Sequence, residues 1–173
     1  MRRCLPLAAL ALSCSTLFAQ APTPSAAPTI AGELAPIAWM QGTWIAQTTP
    51  PPGKAPIVIE QTVTMTLAGR ALTFSTTFNG APQYQGLFAW DPGKKAIAFW
   101  YPSAQGEITS GTISREQDYF LWNFQVTEPN AMVTPFEVRI KPTGPNDYDW
   151  TLLGLSGADW KEMFSLHYKR KSS

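Results

Sequence analysis

Cysteine is almost missing from this 173-residue chain, and both residues that occur, Cys4 and Cys14, lie near its start. Everything downstream is therefore without disulfides, thiolate metal sites or a cysteine nucleophile. Histidine occurs once, as His167. No His/Asp/Glu cluster has the spacing of zinc ligands, and no Gly-x-Ser-x-Gly elbow is present. Charge is scarce too: 13 Lys and Arg stand against 12 Asp and Glu, 14% of the chain. These charges form no basic stripe or block, which argues against a nucleic acid as partner, because phosphate binding draws on clustered Lys and Arg. Beyond the first twenty residues no apolar run reaches transmembrane length.

What is present begins with an export signal. Arg2 and Arg3 form a basic start, Leu5 to Phe18 is an apolar run too short to span a bilayer, and Ala19-Gln20-Ala21 is an A-x-A cleavage site. Residues 1–21 read as a secretory signal peptide. The alternative is a lipoprotein signal in which Leu12-Ser13-Cys14 acts as a poor lipobox. Either reading exports the protein, to the periplasm or outside the cell. Cleavage after Ala21 leaves about 152 residues, enough for one domain that buries roughly two-thirds of its unfolded surface. It also removes Arg2 and Arg3, so the net charge becomes about −1. Residues 22–32 contain "APTPSAAP", a Pro/Ala-rich linker that sets distance, and 33–173 form the folded domain.

That domain opens with "LAPIAWMQG". Leu34, Ile37, Ala38 and Gln41 fall near helical spacing, Pro36 limits the segment to one or two turns, and Gly42 stops it. From Thr43 onward the text reads as strands and turns. "IVIEQTVTMTL" sets Ile57, Ile59, Val63, Met65 and Leu67 against Val58, Glu60 and threonines. "ALTFSTTF" alternates likewise, and "DPGKK" is a hairpin turn. Ten strands follow one another at hairpin spacing. The expected fold is all-β: a ten-stranded antiparallel up-and-down barrel with a short N-terminal helix. Closure removes exposed edges. A β-sandwich is the runner-up, but its longer crossing connections are missing.

The segment "LAPIAWMQGTW", the stretch "IEQTVTMTLAGRALTFSTTF" and the ending "FSLHYKRK" together resemble the calycins. The likeness is closest to the nitrobindin-like heme-binding barrels and a related domain family of unassigned function. It spans about Leu34 to Lys171. It implies a compact ten-stranded barrel in which Gly42 lets the chain turn from helix into strand, Trp44 covers the closed floor and Arg170 packs on Trp44. It also raises heme, which nitrobindin-type barrels hold through a last-strand histidine. On the "HYKRK" ending the matching position is Met163. His167 and Met163 share a row with Lys161, Ser165 and Lys169, whereas Phe164, Leu166 and Tyr168 form the apolar row. His167 is therefore expected to point outward, and no cofactor or metal is expected.

The aromatic residues, with 7 Trp, 5 Tyr and 9 Phe, exceed what a barrel floor requires. Phe74, Phe78, Phe88, Trp90, Phe99 and Tyr101 follow one parity, whereas Trp122 and Trp150 stand on strands apolar on both faces. With Gln61, Thr76 and Ser110 as inward polar groups, the aromatics would line a small-ligand cavity. Gln61 is then either a structural hydrogen-bonder or a ligand contact. Asp147, Asp149 and Asp159 read as turn formers. The leading expectation is an exported barrel holding a small, largely apolar molecule. Gln61, Phe74, Thr76, Phe78, Phe88, Trp90, Phe99 and Tyr101 are its candidate ligand residues. One alternative is a lyase- or cyclase-like enzyme using Arg70, Tyr84, Tyr101 and Glu107; another is a ligand-free interaction module of the cell envelope.

Overall fold

The structure, a computed structural model, describes residues 29–172. The signal peptide and most of the linker lie outside these residues. Ten antiparallel strands close into a barrel: β1 (Gly42–Gln47), β2 (Val58–Thr66), β3 (Ala71–Phe78), β4 (Ala81–Asp91), β5 (Ala96–Pro102), β6 (Ile108–Arg115), β7 (Phe120–Thr127), β8 (Val133–Gly144), β9 (Asp147–Ser156) and β10 (Asp159–Arg170). Each strand pairs with its neighbour in sequence, and β1 closes the ring against β10. Period-two alternation drives this arrangement. On β3, Leu72, Phe74 and Thr76 are buried while Thr73 and Ser75 face solvent, so one face of the strand makes the core and the other the surface. Closure pairs every strand on both sides and leaves no free edge.

The opening segment differs from the expected helix. Gly32–Met40 forms 3-10 turns, and no α-helix occurs among the described residues. The buried side chains are Leu34, Ile37 and Met40. Their spacing of three is the eclipsed spacing of a 3-10 helix, not the 3.6 of an α-helix. Pro36 inside the segment contributes no N–H, which works against a regular α-helical ladder.

This segment seals one end of the barrel. Trp44 lies beneath it, 1% exposed, and its indole Nε1 donates to the Met40 carbonyl at 2.8 Å. The Arg170 guanidinium sits 4.1 Å from the Trp44 ring centroid and donates to the carbonyls of Gln41 and Trp39. Gly42 holds φ at +115°, and a Cβ there would collide with Arg170 Nη1. The preceding chain is strapped to the same end, where the Ala31 N–H donates to the Gly69 carbonyl at 2.8 Å. Leu67, expected on the inner face of the second strand, lies instead in the β2–β3 turn with φ at +50°. Its side chain is exposed.

Candidate functional site

The opposite end of the barrel is open. The β3–β4, β5–β6, β7–β8 and β9–β10 turns gather there, with the 48–57 loop that joins β1 to β2. From this mouth a cavity of about 380 Å³ runs inward, a volume in the range of small-molecule sites. Its walls are aromatic. Phe74 and Tyr84 each meet Tyr101 edge to face, at 5.4 and 5.5 Å. Tyr148 stacks on Tyr168 at 4.7 Å, and Trp150 leans on Phe164 at 5.4 Å.

A polar chain crosses the inner part of the cavity. The Tyr148 hydroxyl donates to Gln61 Oε1 at 3.4 Å, and Gln61 Nε2 donates to Thr76 Oγ1 at 3.4 Å. Both bonds are long, so Gln61 is held in place loosely while still lining the cavity. Tyr168 also lines it, at 5% exposure. Among the described residues no protein group bonds the Tyr168 hydroxyl. Burial pushes the Tyr101 phenol up to about 12, opposed by a hydrogen bond from Thr109 and helped by Tyr84 and Glu107. Burial likewise raises Tyr84, with Glu107 adding to it, and raises Tyr148 and Tyr168 well beyond the ordinary phenol value. All four hydroxyls stay protonated near neutral pH. Those of Tyr84, Tyr101 and Tyr168 can donate hydrogen bonds to a ligand, whereas the Tyr148 proton is directed at Gln61; none supplies a phenolate base.

Of the residues singled out in sequence, Gln61, Phe74, Thr76, Phe78 and Tyr101 line this cavity. Phe88 and Phe99 face inward but lie deeper, packed in the core against Trp122. Trp90 shares their row yet reaches the sealed end, where it lines a smaller hollow with Glu33 and Pro36. Ser110 does not face in. It pairs with exposed Trp100, while Thr109, paired with Tyr101 and Val126, is the buried member. Trp122 and Trp150, left unplaced by alternation, are both wall residues. The enzyme-like set is only partly assembled. Tyr84, Tyr101 and Glu107 meet at the mouth, but Arg70 stands in the β2–β3 turn at the sealed end.

His167 faces outward. Its Nδ1 lies 2.7 Å from Asp149 Oδ1 and its Nε2 lies 3.2 Å from Asp147 Oδ1. These hydrogen bonds, that to Asp149 first, raise its pKa. Asp147 and Asp149 thus hold a histidine on the surface instead of shaping turns. A β-bulge does interrupt β10, between Glu162 and Phe164, but it lies before Leu166 and leaves the row of Leu166 and Tyr168 intact. The bulge acts on its other side. Lys161 comes to pair with Gly154, in the inward row of Trp150 and Leu152 rather than the outward one. Met163 is packed over Gly154 near the mouth and is 59% exposed. The chain's single histidine cannot reach the cavity, and Met163 lies in no dry pocket, so these residues do not fit an axially ligated heme. No group of three His, Cys, Asp or Glu among the described residues is placed to hold a metal ion.

No protein-family model matches the chain, and no curated protein matches it. Among solved structures it is similar to Rv2717c from M. tuberculosis, with a TM-score of 0.56 and 15% sequence identity. The alignment covers 83% of this chain and 99% of that one. At this identity the likeness concerns the fold alone: a closed, ten-stranded antiparallel barrel.

Proposed function

We propose that this protein is an exported binder of a small, largely apolar molecule, built on a calycin-like barrel of the nitrobindin-like branch and working without heme. One observation carries the reading. The barrel is sealed at one end, open at the other, and hollow between, with aromatic walls and a few polar groups. Binding is burial: apolar ligand surface leaves water at about 25 cal/mol per Å², and Gln61, Thr76 and Tyr168 orient what enters. The dispersal of the enzyme-like set, with Arg70 at the far end, favours binding over catalysis.

The test uses N-phenyl-1-naphthylamine, a neutral apolar fluorophore. Its emission should rise on titration with the protein and saturate at one equivalent. Thr134, which lines the cavity, lies one residue into β8 at the mouth. Thr134→Trp should block the rise while leaving the far-ultraviolet circular dichroism of the barrel unchanged. A wild-type protein that leaves the fluorophore dark would overturn the reading.

A further inference from the structure

The lining of the cavity, among the described residues, includes two carboxylates near the mouth and no cation; Lys161, turned to the inward row by the bulge, stays exposed at the rim outside that lining. Glu107 and Glu128 both line the cavity, and no Lys or Arg does. The β6–β7 ladder runs to Ile108 opposite Thr127, and the next step of that register sets Glu107 opposite Glu128. Both belong to the inward rows, those of buried Thr109 and of Val126. Their backbones are pinned. Glu107 exchanges main-chain and side-chain hydrogen bonds with Ser103, and Glu128 bonds Met132 and Ala131. Their carboxylates are not. The ion pairs among the described residues are Lys94–Asp91, Lys141–Asp118, Lys171–Glu60 and those of His167, and none involves Glu107 or Glu128.

Like charges directly opposite across a ladder destabilise it. A fold that brings two half-buried carboxylates to the lining of one aromatic cavity gains when a cation comes between them. The same cavity is lined by a second polar group, the 95%-buried Tyr168, whose hydroxyl has no hydrogen-bond partner among the described residues. We infer that the preferred ligand is an amphiphilic cation. Its protonated amine, or a comparable cationic group, sits between Glu107 and Glu128, its apolar body lies along the aromatic walls, and Tyr168 donates to an acceptor at its buried end. Tyr84, at the mouth beside Glu107, presents an aromatic ring that also favours a cation. This inference rests on the binding role proposed above and adds the charge of what is bound.

Three probes share one apolar body and differ in charge: 2-(1-naphthyl)ethylamine, 2-(1-naphthyl)ethanol and 1-naphthylacetate. Calorimetric titration at constant ionic strength should rank the ammonium first, at least about tenfold tighter than the alcohol, with the carboxylate weakest. That factor corresponds to two partly screened ion pairs acting together. The isosteric double variant Glu107→Gln/Glu128→Gln should bind the alcohol as the wild type does and bring the ammonium down to the same affinity. An ammonium that binds no better than the alcohol, or whose advantage survives in the double variant, overturns the charge preference while the cavity reading stands. If none of the three binds, both fail.

Discussion

Trp44 joins burial, a hydrogen bond and a cation in one side chain. Its ring meets Tyr148 edge to face at 4.9 Å and Trp39 at 5.8 Å, with Arg170 above and the Met40 carbonyl bound to its nitrogen. Trp44→Ala removes all of these at once and should destabilise the fold by about 3–5 kcal/mol in urea melts. A loss below about 1 kcal/mol, the size of an ordinary surface substitution, would mean the floor is held by something else. His167 illustrates a different kind of residue, exposed and electrostatic. Its raised pKa stabilises the protonated form, so its contribution to folding is present below the unfolded value of about 6.5. That contribution fades as pH rises through the higher folded value. In a nuclear magnetic resonance titration its midpoint should lie above that unfolded value. Asp149→Asn should lower it more than Asp147→Asn, because the Asp149 bond is shorter and is the leading cause.

At the scale of elements, the strap over the sealed end depends on one glycine. Gly69 holds φ at +87°, and a Cβ there would strike the Thr29 carbonyl oxygen. Gly69→Ala should cost about 2 kcal/mol, combining left-handed backbone strain with a forced shift of the strap. Gly157, at φ +68° with open space around it, is the control, and Gly157→Ala should show the backbone part alone. Protection of the Ala31 amide from hydrogen exchange should fall in the first variant and not in the second.

The same elements show what could be read from residues alone. Strands were legible because alternation is local: "ALTFSTTF" states its own inner face. On β6 the large apolar marks, Ile108 and Ile113, are five apart and so of opposite parity. Only pairing with Tyr101 and Val126 reveals that Thr109, not Ser110, turns inward. Parity also says in or out, never how deep. Phe78, Phe88 and Trp90 share the inner face yet reach the mouth, the core and the sealed end. The bulge on β10 leaves no mark in the sequence, and it alone changed the row of Lys161. The 3-10 segment reads as an α-helix for a related reason: residues spaced at three and at four both suit an α-helix, and only burial of Met40 in place of Gln41 separates the two.

For the molecule as a whole, the proposed export sets where any ligand would be met. With cleavage at the A-x-A site, material recovered from outside the cytoplasm should give an N-terminal sequence starting at Pro22. A diacylglycerol on Cys14 would instead make the protein a lipoprotein. A domain without disulfides in such a compartment relies on its core and on closure for durability, because a ring of paired strands offers no template for another chain.

The described chain both enters and leaves the barrel at the sealed end. Thr29 lies against Gly69 there, and Arg170 closes over Trp44. The protein is thus a cup gripped by its base. A tether at either end points the rim away from whatever holds it, so a sensor surface coupled through the N- or C-terminus keeps the mouth facing the solution. Attachment through Lys54, in the loop beside the rim, turns the cup over. Held from either end of the described chain, the barrel presents its cavity away from the holder, toward molecules arriving from solution.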